Sequence, residues 1–119
     1  MDTQSILNKQ KEYLWPSHLT YYRQPLPLAR GEGMYLYDVE GKKYLDFFGG
    51  ILTVSVGHCH PKVTAALVDQ VQTLVHTSTL YPHQNHVNLA EKMAQIAPGK
   101  LKKSFFSNSG TEANETAVM

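Results

Sequence analysis

Ser107-Asn108-Ser109-Gly110-Thr111-Glu112-Ala113 follows the apolar pair Phe105-Phe106 and reads as the turn from a strand into a helix. A helix start presents backbone N–H groups with no partner in the preceding turn and a partial positive charge, which together favour an anion. Gly110 has no Cβ, so an anion can approach the backbone closely there. Ser109 and Thr111 add hydroxyls on either side. One reading of the segment is therefore a phosphate cup made by the amides of Gly110 and Thr111. The other is a capping box, since Ser109-x-x-Glu112 has the spacing by which a helix satisfies its own first amides. Spacing alone leaves both open. The acidic side chains of Glu112 and Glu115 suit the helix dipole, but a cup requires them to turn away from the anion.

Working back from this turn, Lys102 to Ser107 is expected to be a short strand. Leu89, Ala90, Met93, Ile96 and Ala97 recur at helical spacing, and Pro98-Gly99 ends that helix. A loop over Thr77 to Gln84 precedes it. Val63, Ala66, Leu67, Val71, Leu74 and Val75 form another stripe, which predicts a helix over 61–76 with Pro61 at its first position. Gly49-Gly50 and Gly57-His58-Cys59-His60-Pro61 bracket an apolar segment, Ile51 to Val56. Met34 to Asp38 and Lys43 to Phe47 are aromatic-rich runs joined by Glu40-Gly41, a β-hairpin pattern. Leu19 to Arg30 holds Pro25 and Pro27 without a clear period and is expected to be extended. Residues 3–14 read as a short amphipathic helix ended by Trp15-Pro16. At the far end the helix that starts near 110 stops at Met119 on an uncapped apolar edge, which suggests a piece of a longer chain.

Composition narrows the function classes. The 119 residues carry a formal net charge of +1 with Lys and Arg scattered, which gives no footprint for nucleic acid or an anionic membrane. The one cysteine, Cys59, excludes an internal disulfide and fits a reducing compartment. The first ten residues lack the apolar region of a secretory signal, and no apolar run approaches membrane-spanning length. A cytoplasmic location is the expectation.

Asp46-Phe47-Phe48-Gly49-Gly50-Ile51, then Gly57-His58-Cys59-His60-Pro61, then His76-Thr77-Ser78-Thr79, then Asn108-Ser109-Gly110-Thr111-Glu112-Ala113-Asn114-Glu115 follow in order. In wording and spacing they resemble the N-terminal region of class III pyridoxal-phosphate-dependent aminotransferases over residues 31–119. The stretch Gly49 to Pro61 resembles the alanine–glyoxylate aminotransferase 2 branch. The resemblance implies an α/β fold of the fold-type-I pyridoxal-phosphate class: an N-terminal arm and small-domain hairpin over 1–60, and the truncated start of the cofactor-binding large domain over 61–119. It implies pyridoxal 5′-phosphate as cofactor, with Gly110 and Thr111 holding its phosphate, Ser109 alongside, and Thr79 reaching the phosphate in the partner subunit. It places Ile51 in the wall of the substrate pocket. A homodimer with the active site at the subunit interface follows, acting on an amino donor and a 2-oxo acid. The Schiff-base lysine and the aspartate that pairs with the pyridine nitrogen are expected beyond residue 119. Lys62, Lys92 and Lys102 do not match the family's lysine motif, so no catalytic residue is assigned and the fragment alone is expected to be inactive.

Other residues have simpler accounts. His58, Cys59, His60, His83 and His86 lack the paired spacing of a zinc site, so no metal is expected. His58 and His60 are expected to shape the loop before the helix, and Cys59 to be a small buried residue. Tyr35, Tyr37 and Tyr44 are expected to pack the hairpin rather than stack nucleic-acid bases. Two alternatives stay open: a lyase, mutase or decarboxylase on the same fold, or a non-catalytic phosphate-binding or interaction module if the chain truly ends at Met119.

Overall fold

The computed structural model describes residues 1–17 and 20–119; Leu19, where the extended stretch was expected to begin, lies outside the described residues. The chain packs as two units, Met1–Thr73 and Leu74–Met119.

In the first unit, helix α1 (Thr3–Tyr13) begins where Asp2 accepts the Ser5 N–H at 2.8 Å and ends as the Leu14 N–H reaches the Gln10 carbonyl. Both the N–H and the hydroxyl of Thr3 donate to Glu40, which ties the helix start to the sheet. That sheet has three antiparallel strands in the order β1 (Leu28–Glu32), β2 (Tyr35–Asp38) and β3 (Lys43–Leu45). The expected hairpin is β2–β3, with Tyr35 opposite Leu45 and Tyr37 opposite Lys43. Strand β1 is an addition. It pairs Glu32 with Tyr35 and Leu28 with Asp38 across a bulge, so Leu28 to Arg30, expected to be extended, form part of it together with Gly31 and Glu32. No alternating pattern announces β1, because its side chains are mostly exposed on both faces and its pairing comes from the backbone.

Asp38 holds the β2–β3 turn. Its carboxylate accepts the N–H groups of Glu40 and Lys42 and the Tyr44 hydroxyl. The tyrosine rings carry the chain's own cations: Arg30 lies 3.6 Å from the centre of Tyr37, and Lys43 lies 3.6 Å from that of Tyr35.

After β3 the chain makes one helical turn, α2 (Gly49–Leu52), whose backbone is left-handed: φ is 56°, 58°, 59° and 64° at Gly49, Gly50, Ile51 and Leu52. Helix α3 (Pro61–Thr73) follows and stops three residues short of the expected end. The Thr73 hydroxyl bonds back to the Asp69 carbonyl, and Ser78 downstream is itself left-handed, at φ 63°.

In the second unit, helix α4 (Gln84–Ile96) is capped by His83, whose Nδ1 accepts the Asn85 N–H at 3.2 Å. The His86 ring tilts against Phe106, with centroids 4.9 Å apart. The expected strand over 102–107 is not formed. A strand exists by its ladder, and among the described residues this segment has no neighbour to pair with. Helix α5 (Gly110–Val118) closes the chain.

Among the described residues no apolar side chain is buried; the helix stripes, including Val63, Leu67, Val71, Leu89, Met93 and Ile96, face outward. No helix of the described residues is long and apolar enough to cross a membrane.

Candidate cofactor site

The turn into α5 realises the capping reading and leaves room for the other. Ser109 is the N-cap, extended at φ −151° and ψ 160°, and its Oγ accepts the Glu112 N–H at 3.2 Å. The Glu112 carboxylate reaches back to the Asn108 N–H at 2.7 Å, one residue earlier than in the usual box. The cap therefore satisfies the amides of Asn108 and Glu112. Those of Gly110 and Thr111 take no acceptor among the described residues. A Cβ built on Gly110 meets nothing within 4 Å, so the face of these two amides is open. Two free N–H groups at the positive end of a helix, beside a hydroxyl and without side-chain bulk, fit a phosphate dianion. The carboxylate of Glu112 stays near this end and opposes an anion, though its engagement with Asn108 draws it back along the chain.

Thr79 belongs to the same unit and lies exposed in the turn after Ser78, whose Oγ accepts the Leu80 N–H. No hydrogen bond joins Thr79 to Ser109–Thr111 among the described residues. Ile51 belongs to the first unit, 71% exposed on the left-handed turn. A β-branched residue is rarely found in that conformation, and a left-handed turn costs about 1–2 kcal/mol for each residue bearing a Cβ. Such strain persists only where the surroundings impose it.

The contacts at the two ends of this turn went unread in the sequence. Asp46, whose side chain is only 6% exposed, accepts the N–H groups of Phe48 and Gly49 through Oδ1, each at 2.9 Å, and meets His58 Nε2 through Oδ2 at 2.6 Å. The His58 ring, then the Gly49 and Phe48 amides, hold the Asp46 carboxyl below the usual carboxylate range. An Asp two residues before Phe48 and three before Gly49 is an Asx-turn signal, which could have marked the start of the loop. His58 does shape the loop before α3, as expected, with its backbone paired in both directions to Gly33. The carbonyl of His60 accepts the Thr64 N–H of the first turn of α3, and its Nδ1 is buried without a hydrogen-bond partner among the described residues. Cys59 is exposed, not buried: at φ 51° between two histidines it sits on the outside of the bend. No group of three or more metal-ligating side chains occurs among the described residues.

Comparison with known proteins gives the family. The family described as aminotransferase class-III matches residues 19–119. Human mitochondrial alanine–glyoxylate aminotransferase 2 is 49% identical over 114 residues, 96% of this chain and 22% of the relative. The acetylornithine aminotransferase of Methanocaldococcus jannaschii is 44% identical over 119 residues, 99% of this chain and 28% of the relative. Among solved structures, the acetylornithine aminotransferase from Elizabethkingia anophelis superposes with a TM-score of 0.86 at 34% identity, over 99% of this chain and 30% of that one. The chain thus spans about a quarter of the length of the curated relatives it matches. With the family matched along nearly all of its length and the backbone superposed on its solved members, the chain belongs to the class III aminotransferases and has the fold-type-I architecture of pyridoxal-phosphate enzymes.

Proposed function

We propose that the whole protein is a pyridoxal-phosphate-dependent aminotransferase that moves an amino group between an amino donor and a 2-oxo acid. The observation that carries this is the pair of unclaimed amides at Gly110 and Thr111, at the start of a helix in a chain of this family. Pyridoxal phosphate, bound there, supplies the electron sink for exchange at the substrate's α-carbon. The residues of this chain bind and orient. Gly110 and Thr111 hold the phosphate through their amides, Ser109 offers its hydroxyl proton, and Thr79 reaches the phosphate of the partner subunit. Ile51 walls the substrate pocket. Residues 1–60 form the arm and small-domain segment, and 61–119 the opening of the large domain. The lysine and aspartate of the chemistry lie beyond residue 119, in a cytoplasmic homodimer whose site is completed across the interface. The names of the relatives offer two substrate sets, alanine with glyoxylate and acetylornithine.

The test uses the full-length protein. Adding pyridoxal phosphate should produce a visible absorbance band that borohydride fixes covalently to a lysine, and either alanine with glyoxylate or acetylornithine with a 2-oxo acid should then turn over. The absence of both the band and the turnover would remove the reading.

A further inference from the structure

Residues 47–57 leave the sheet after β3, pass through the left-handed turn Gly49–Leu52 and return to the sheet at His58. Ile51 and Leu52 stand there at φ 59° and 64° although neither is glycine. The turn's own hydrogen bonds run from the Leu52 N–H to the Phe48 carbonyl at 3.3 Å, the Val54 N–H to the Gly49 carbonyl at 3.1 Å, and the Thr53 and Ser55 hydroxyls to the Gly50 and Leu52 carbonyls; all are local and none reaches the sheet. One carboxylate joins the two ends of the loop. Asp46 Oδ1 takes the two amides at the loop's entrance, and Oδ2 takes the His58 ring at its exit.

Both residues are themselves fixed to the β1–β2 end of the sheet. The Asp46 N–H donates to the Met34 carbonyl at 2.9 Å, the His58 N–H donates to the Gly33 carbonyl at 2.7 Å, and the Gly33 N–H returns to the His58 carbonyl at 2.9 Å. The His58 ring occupies the space a side chain on Gly31 would need, 2.8 Å from an ideal Cβ. Entrance and exit of the loop are thus joined through one half-buried pair, and both are set against one rigid support.

We propose that Asp46 and His58 are positioning residues that hold the strained turn in a single shape and thereby set where Ile51 stands against the substrate. This rests on the placing of Ile51 in the substrate pocket proposed above. Neither residue touches substrate or cofactor; both act through the turn.

The full-length holoenzyme tests it with Ile51→Ala, Asp46→Asn and the double variant, reading donor KM, kcat, cofactor retention and thermal midpoint. Asp46→Asn and Ile51→Ala should each raise donor KM by about fivefold with the cofactor retained, and the double variant should be no worse than the poorer single, because two changes acting through one contact do not add. Multiplying factors in the double variant, or an Asp46→Asn enzyme with unchanged KM, would overturn the clamp while the pocket reading stood on Ile51→Ala alone. An unchanged KM in Ile51→Ala would overturn the pocket reading and the clamp with it. If Asp46→Asn does not fold, His58→Ala takes its place. His58→Gln, which keeps a donor for Asp46, should recover most of the KM lost in His58→Ala, and no recovery would count against the pair.

Discussion

Ser109 caps Glu112 across the first turn of α5: the Glu112 N–H donates to Ser109 Oγ at 3.2 Å, while the Glu112 carboxylate accepts from the N–H of Asn108, the residue before Ser109. Capping therefore takes the amides of Asn108 and Glu112 and leaves those of Gly110 and Thr111 for the phosphate proposed above. Variants can separate the two roles. Gly110→Val places its Cβ in open space, so it leaves the cap intact and crowds only an incoming phosphate. Pyridoxal phosphate affinity, titrated by absorbance, should fall at least about tenfold, equivalent to roughly 1.4 kcal/mol. Ser109→Asp keeps an N-cap acceptor but adds negative charge at the cup, so helix stability should hold while cofactor affinity falls. Ser109→Ala should cost about 1 kcal/mol of stability, the usual value of a lost N-cap. Equal cofactor affinity in all three would place the phosphate elsewhere.

The exposed stripes lead to a second expectation. Val63, Leu67 and Val71 on α3, at 48%, 62% and 64% exposure, present one apolar face, and Leu89, Met93 and Ile96 present another on α4. Folding stability comes chiefly from burying such faces. The 119 residues expressed alone should bind a hydrophobic dye such as ANS and melt without a cooperative transition. A sharp two-state melt in calorimetry would contradict this.

Much of the fold could be read in the sequence because helices announce themselves locally. The 3.6-residue stripes and the punctuation at Pro61, Pro98 and Gly99 located α3 and α4 to within a few residues, and the aromatic runs located β2 and β3. What could not be read was non-local. Strand β1 exists only because β2 lies beside it, and 102–107 fails as a strand because no neighbour pairs with it. The bond between Asp46 and His58 spans twelve residues, and neither side chain shows a pattern that names the other. The turn at 109–112 was legible as a helix start, but which amides the cap takes depends on where the Glu112 carboxylate folds back.

Gly31 is the support on which that twelve-residue link depends. It is needed for close approach, since a Cβ there would fall 2.8 Å from both Cβ and Cγ of His58, atoms fixed near the backbone and unable to swing away. Gly31→Ala should destabilise the full-length protein by about 1–3 kcal/mol, the usual range for overpacking. It should also raise donor KM in the same direction as His58→Ala. The urea midpoint and steady-state kinetics check both. A midpoint equal to wild type would mean that the sheet yields at this point and that His58 is less firmly held than its geometry implies.

Acid and base should each weaken the first unit, acid through two hydrogen-bonded carboxylates and base through one phenol. Asp46, held down chiefly by His58, and Asp38, held down chiefly by the Tyr44 hydroxyl, both titrate below the usual carboxylate value. A carboxyl whose folded value is depressed adds stability above its unfolded value of about 4 and loses it as pH falls through the folded value. Tyr44 is the reverse: its hydrogen bond to Asp38 raises the phenol above its usual value of about 10, so its contribution is complete below that pH and lost as pH climbs through the raised value. The stability difference between wild type and Asp46→Asn should therefore be flat across neutral pH and shrink only below about pH 4. The difference between wild type and Tyr44→Phe should shrink at the alkaline end. A wild-type advantage over Asp46→Asn that vanished near pH 6 would contradict the assignment of that advantage to the Asp46 carboxylate, whose folded value lies below the usual range.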